Sequence, residues 1–449
     1  MIEKPLIDIE LAIEARWVVP VTPQRQTLEY TAVIIDQGRI LDVLPIELAR
    51  QHYRAKQVVS LDEHVLIPGL INLHTHAAMT LMRGLADDLP LMPWLQEHIW
   101  PAEKQWLSSQ FVRDGSLLAC AEMLGGGVTC FNDMYFYPQA TAEACIQAGV
   151  RAHLGLVVIE FASVYANDAD DYLQKGLDAR DSLRNNPLLS FSLAPHAPYT
   201  IENSTFEKVM TYSEQLGLGI HTHLHETKAE IELGISQYAT RPLRRLLDLG
   251  LLGPDFIAAH GVHLLPEEME MLAAHGCHIV HCPTSNLKLA SGIAPVPALL
   301  NKGVNVGLGT DGAASNNRLD MFAEMRLAAL LAKGTSGDAA VLPAAQALEM
   351  ATINAAKALG LDDKIGSIEI GKFADISAVR IADLETSPCF DPLSHLIYAC
   401  GREHVSHVWV AGELRYEKSH HQNGVYANIE PAELKEISAK WQSKLTQYK

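Results

Sequence analysis

The chain has 449 residues, 48% hydrophobic and 20% charged, enough to bury the cores of one large and one small domain rather than remain disordered. Lys plus Arg total 35 against 53 Asp plus Glu, a formal charge of −18 that disfavours a nucleic-acid partner. No apolar run approaches the ~20 residues of a membrane span, the opening MIEKPLIDIE lacks a signal peptide's basic-then-apolar order, and seven scattered cysteines form no disulfide framework, so a soluble, cytoplasmic protein with reduced thiols is expected.

Residues 1–64 (LAIEARWVVPV, TAVIIDQGRILDV, KQVVSL) read as short strands separated by turn residues. From residue 65 the pattern changes to short β-branched runs alternating with helical stretches, the mark of βα units on a parallel sheet. Eight runs can be counted: VLIPGLINLHTH, GVTCFNDM, RAHLGLVVIE, LSFSLAPHAP, LGIHTHLHE, DFIAAHGVHL, HIVHCPTSN and NVGLGTDG, and eight closes a (β/α)8 TIM-type barrel over residues 65–365. The densest cysteine cluster, HGCHIVHCPTSN, sets Cys277 and Cys282 among His275, His278 and His281; it fits no zinc-finger spacing and reads as a buried strand. Residues 366–449 return to strands (GSIEIGKFADISAVRI, HVSHVWVAGELRY), expected to join the first 64 in a small composite β-sandwich, before the amphipathic helix EPAELKEISAKWQSKLTQY. The expected class is therefore α/β, a barrel with a small domain formed by both termini.

Chemically capable residues gather at the carboxyl ends of the barrel runs: His74, His76, Asp133, His196, His223, Glu226, His260, Asn286 and Asp311. That edge is the active-site face of such a barrel. His74 and His76, two apart on a strand, share a face and can converge on one metal ion. With His223 and Asp311 they make a four-ligand set of the kind a mononuclear zinc site uses. In HTHLHE, His221, His223 and His225 have the same strand parity, so spacing does not choose among them. The choice of His223 rests on Glu226, a proton shuttle that must lie beside the metal's water without ligating the metal; His221 and His225 are second choices. His260 is placed to hydrogen-bond that water, His263 reads as structural, and Asp311 can both ligate and take the water's proton.

PGLINLHTH, HTHLHE, AAHGVHL, HCPTSNLKL and GLGTDGAASNN together resemble the amidohydrolase superfamily, in particular its cytosine-deaminase and triazine-hydrolase branch. The resemblance implies a zinc-bearing barrel with a composite β-sandwich. The fourth run lacks the lysine that bridges two metals in binuclear members, so one Zn2+ per subunit is expected, in a site that also accepts Fe2+ or Mn2+. ADDLPLMPWLQEHIWPAEKQW is similar to the lid of the branch's 5'-methylthioadenosine/S-adenosylhomocysteine deaminases. By that resemblance Glu103 binds the ribose hydroxyls, Trp94 lines the substrate pocket and His196 contacts the nucleoside; alone, Glu103 reads as a solvated helix face and Trp94 as lid packing.

The implied reaction is hydrolytic deamination of a 6-aminopurine nucleoside to the inosine analogue and ammonia, with Glu226, His260 and Asp311 catalytic. Arginines that would meet a homocysteine carboxylate are missing from the third run's end, GLVVIEFASVYANDADDY; Arg151 lies at its start, and a lid arginine such as Arg83 is a candidate to compensate. A neutral methylthio tail is the more natural substrate. The rival reactions are deamination of a free base (guanine, 8-oxoguanine, cytosine) and triazine dechlorination. A metal-free scaffold is disfavoured because the chain keeps every ligand. Barrels of this kind often pair, so a homodimer or higher homo-oligomer is compatible with the resemblance.

Overall fold

The computed structural model describes residues 6–23, 26–418 and 424–446. Residues 1–5, part of the opening stretch weighed as a signal peptide, and 447–449, at the end of the terminal helical stretch, lie outside the described residues. In chain order the strands are β1 (Ile7–Val18), β2 (Leu28–Asp36), β3 (Arg39–Pro45), β4 (Tyr53–Pro68), β5 (Leu70–Thr75), β6 (Val128–Tyr135), β7 (Arg151–Val158), β8 (Leu189–Pro195), β9 (Gly219–Leu224), β10 (Phe256–His260), β11 (His278–His281), β12 (Asn305–Leu308), β13 (Ile376–Arg380), β14 (Val405–Val410), β15 (Glu413–Glu417) and β16 (Val425–Tyr426).

Strands β5 to β12 pair in sequence order, all parallel, with helices between them. Every residue of β6 and of β7 is buried, as expected of strands covered on both faces, which therefore read as apolar runs rather than alternating ones. The barrel closes where the segment after β12 meets β5: Asp311 N donates to His74 O (2.9 Å), and Asn72 exchanges bonds with Thr310 N (2.9 Å) and Thr310 Oγ1 (2.7 Å). Gly309 is required at this seam, because a Cβ there would stand 2.7 Å from the backbone nitrogen of His74.

The other eight strands form one sheet in the order β16-β15-β14-β13-β4-β1-β2-β3, antiparallel except where β1 lies parallel to β4. Both ends of the chain thus contribute to a single hydrogen-bonded unit. Alternate residues of β1 serve its two sides: Leu11, Ile13 and Ala15 join a core with Trp409, whereas Ala12 packs with Ile34 and Ala49. Arg151, at the start of β7, forms a buried two-bond pair with Asp375 (2.7 and 3.1 Å), tying the lower end of the barrel to this sheet. The terminal helix Pro431–Leu445 buries Ile437, Trp441 and Leu445, spaced by four, and Trp441 Nε1 donates to Asp114 Oδ2 (2.8 Å). No helix among the described residues is long and apolar enough to cross a membrane.

Candidate active site

Because β5 ends at Thr75 and His76 is still extended (φ −120°), the imidazoles of His74 and His76 emerge on the same side at the mouth of the barrel, while Thr75 Oγ1 turns to the carbonyl of Asp311 (3.1 Å). Their Nε2 atoms lie 3.4 and 3.2 Å from Asp311 Oδ1, and His76 Nε2 lies 3.3 Å from His223 Nε2. The ligand atoms of His74, His76 and His223, and those of His74, His260 and Asp311, each fall within 4.8 Å of one another.

These distances fit a metal ion. Two ligands at zinc bonding distance in a tetrahedron stand about 3.3–3.4 Å apart. His76 Nδ1 faces the Met134 carbonyl (2.6 Å) and His223 Nδ1 the His196 carbonyl (2.7 Å), so both Nδ1 atoms carry hydrogen and both Nε2 lone pairs point inward at each other. Such an arrangement calls for a cation between them. His74 Nε2 is buried without a hydrogen-bond partner, aimed at the same point. Burial disfavours the charged form of Asp311, yet the His74 and His76 rings outweigh it and hold its carboxyl well below the usual range. Its φ of +62° is a left-handed backbone, held by Asp311 N on His74 O, while Oδ2 accepts from Ser285 Oγ (2.6 Å) and Ser315 Oγ (3.0 Å).

The three histidines of HTHLHE part company. His223 faces the site. His221 lies beneath it, its Nε2 3.1 Å from His74 Nδ1, and His225 turns away, accepting from Leu243 N (3.1 Å). His225 has φ +53°, so the strand alternation that groups the three ends before it.

Around this point the remaining expected residues divide. Glu226 is buried beside it, Oε1 3.4 Å from Ser291 Oγ and Oε2 3.8 Å from His260 Nε2; burial raises its carboxyl above the ordinary value. His260 Nδ1 is held by Asn286 Oδ1 (2.8 Å), which leaves Nε2 facing inward. Asp133 is not among the converging groups: it accepts from Ala77 N (2.7 Å) and braces the turn after His76. His263 likewise bonds the Ser291 carbonyl (2.9 Å).

A cavity of about 550 Å³ opens above these groups, with Trp94, Glu103 and His196 in its wall. Trp94 begins a π-helical turn, Trp94–Ile99, in the lid and is 5% exposed. Glu103, far from being a solvated helix face, accepts a 2.6 Å bond from Tyr135 OH, and burial pushes its carboxyl up to about 7. His196 is held near a pKa of about 3, neutral, first by burial and then by the neighbouring His76 and His74 rings. Val157, Ile159, Phe161 and Val164, from the end of β7 and beyond, make one wall apolar. Among the lining residues Lys104 is the one lysine or arginine; Arg83 is engaged with Glu122 and the Asn317 carbonyl instead. Tyr135 and the serines at 285, 291 and 315 were not anticipated. Tyr135 alone left a signal, a polar ring closing the run FNDMY at a strand end.

Residues 65–415 match the amidohydrolase family. The chain is 48% identical, over 90% of its length and 92% of the relative's, to a 5-methylthioadenosine/S-adenosylhomocysteine deaminase of Teredinibacter turnerae. It is 43% identical to a 5'-deoxyadenosine deaminase of Methanosarcina acetivorans, covering 87% of this chain and 89% of that one. Among solved structures, an adenosine deaminase from Xanthomonas campestris with bound zinc superposes with a TM-score of 0.96 at 45% identity, covering 99% of this chain and 100% of the other.

Proposed function

The chain belongs to the amidohydrolase family, as a metal-dependent hydrolase acting on C–N bonds, and from that footing we propose that it deaminates 6-aminopurine nucleosides, 5'-methylthioadenosine foremost, to the inosine analogue and ammonia. The observation that carries the reading is the pairing, across one cavity, of the converging donors His74, His76, His223 and Asp311 beside Glu226 with the hydrogen-bonded, half-buried Glu103 and its partner Tyr135.

His74, His76, His223 and Asp311 are the residues that would hold one divalent ion, zinc by preference, with iron or manganese acceptable to the same donors. Such an ion supplies Lewis acidity that makes a water nucleophilic near neutral pH. Asp311, kept ionised, accepts the proton of the attacking water, and His260, fixed through Nδ1 by Asn286, orients that water with Nε2. Glu226, whose burial favours the protonated carboxyl, donates to N1 of the purine ring and afterwards relays a proton to the departing ammonia. Attack forms the C6–O bond and loss of ammonia breaks the C6–N bond; the proton relayed to the amine is that of the new C6 hydroxyl, which leaves the keto purine, and the proton held by Asp311 returns to Glu226 through the next water. Glu103, once ionised, accepts one hydrogen bond from each ribose hydroxyl. Trp94 covers the nucleoside, and His196, neutral, contacts it as donor or acceptor.

The apolar wall at Ile159, Phe161 and Val164 suits a methylthio group and offers a homocysteine carboxylate no guanidinium. We place the enzyme in the cytosol, since all seven cysteines are free thiols, and expect it to work as a homo-oligomer on a small-molecule substrate without nucleic acid. The test is ammonia release by zinc-loaded protein from 5'-methylthioadenosine, adenosine, S-adenosylhomocysteine, guanine and 8-oxoguanine. Highest kcat/KM for 5'-methylthioadenosine is expected; reaction with free bases alone would refute the roles of Glu103 and the lid.

A further inference from the structure

Downstream of Glu226 the sequence reads TKAE, and its physics is that of a helix start. Thr227 caps the helix Lys228–Tyr238, its Oγ1 accepting from Glu230 N (3.2 Å). In an ordinary capping box the glutamate at the third helical position reaches back to the backbone N–H of the cap itself. Glu230 reaches further. Its Oε1 accepts from the backbone N–H of His225 and its Oε2 from that of Glu226, each at 2.8 Å, and the side chain is buried outside the cavity wall.

We propose that Glu230 is the positioning residue for Glu226: it clamps the two backbone amides that aim the Glu226 carboxyl at His260 and the reacting purine. The segment gains from a clamp because His225 sits in the left-handed region at φ +53°, a backbone that few residues with a side chain adopt, histidine more readily than most. The His225 ring is pinned on its far side by Leu243 N, so the turn between β9 and the helix is held from both ends. Loss of the Glu230 acceptors leaves two buried amides unpaired, and the turn can satisfy them only by rotating Glu226 away from its place 3.8 Å from His260 Nε2. Glu230 touches neither metal donors nor cavity, so its effect falls on turnover rather than on binding.

This inference rests on Glu226 being the proton-transfer group of the proposed deamination. The experiment compares Glu226→Gln, Glu230→Gln, the double variant and Thr227→Ala in the zinc-loaded enzyme with 5'-methylthioadenosine. Glutamine at 230 keeps one acceptor but turns an NH2 group against the second amide. Expected is a kcat at least tenfold lower for Glu230→Gln, with KM within twofold and zinc content unchanged. The double variant should be no slower than Glu226→Gln, because a misaimed group that is already gone cannot be lost again. Thr227→Ala, which removes only the cap, should lower Tm and leave kcat within twofold. A Glu230→Gln rate within twofold of wild type, or a double variant slowed by the product of the two single factors, overturns the positioning role. Should Glu230→Gln not fold, Glu230→Asp, whose carboxylate is withdrawn by one methylene, carries the same comparison. If Glu226→Gln itself keeps its rate, the deamination mechanism fails instead, and a crystal structure of Glu230→Gln then decides the clamp by whether the Glu226 carboxyl has left His260.

Discussion

Asp311 meets His74 twice: its backbone N–H donates to the His74 carbonyl (2.9 Å) and its carboxylate oxygen stands 3.4 Å from His74 Nε2. The seam that closes the barrel is therefore also the place where first and last strand ends present their donors. The contact that closes the sheet also brings together two of the proposed metal ligands.

That coupling makes Gly309 a test of the site from outside it. Gly309→Ala puts a methyl group 2.7 Å from His74 N, against backbone that cannot yield cheaply. Zinc affinity, measured by competition with a chelator, should fall by about 10–100-fold, as when a ligand's support is disturbed. Asp311→Asn, which keeps the backbone bond but loses the charge, should also weaken zinc binding while leaving the secondary structure seen by circular dichroism unchanged. Unaltered zinc affinity in Asp311→Asn would remove Asp311 from the metal set, and in Gly309→Ala would uncouple the seam from the site.

Glu226 has no place among the converging donors, so its loss should separate chemistry from metal binding. Glu226→Gln is expected to retain one zinc per chain by elemental analysis and to lose about 10²–10⁴-fold in kcat, the range for removal of a general acid–base group. Loss of zinc together with activity would make Glu226 a ligand rather than a proton shuttle.

Burial lifts the Glu103 carboxyl from 4.5 to about 7, with the Tyr135 hydrogen bond working in the opposite direction. In the proposed role of Glu103 the ionised form accepts both ribose hydroxyls, so kcat/KM should rise with pH up to about 7 and then level off. Glu103→Gln should lose this inflection and about 10–100-fold in kcat/KM, the worth of a charge-assisted hydrogen bond. For folding the sign is reversed. A carboxyl whose folded pKa is raised favours the native state below 4.5 and loses that contribution as pH climbs through about 7. An unchanged pH profile in Glu103→Gln would assign the limb to another group.

The proposed preference for a neutral tail rests on the apolar wall. Val164, half exposed and lining the cavity, is a position at which an added guanidinium would offer the proposed 5' tail a cationic partner. Val164→Arg should shift the kcat/KM ratio of S-adenosylhomocysteine to 5'-methylthioadenosine by about fivefold, the effect of ~1 kcal/mol for a partly solvated ion pair. A ratio that stays put would mean that the 5' tail leaves the cavity elsewhere.

Much of the molecule was legible in the linear chain because two periodicities are local. The period of two along β5 placed His74 and His76 on one face, and the spacing of four put Ile437, Trp441 and Leu445 on the buried stripe of the terminal helix. Eight apolar runs with polar ends gave the barrel and its reactive edge, since fully covered strands have no other way to read. Depth and partnership are different quantities. Parity put His221, His223 and His225 on one face, but only the fold sank His221 beneath His74 and turned His225 aside through a left-handed backbone. Nothing local joins Glu103 to Tyr135, Asp311 to Ser285, or Glu230 to the amide of Glu226. Those contacts follow from how the lid, the barrel seam and a helix start pack against one another, and that packing gave an ordinary-looking surface glutamate a tyrosine partner at the cavity and turned a capping residue to the amides of His225 and Glu226.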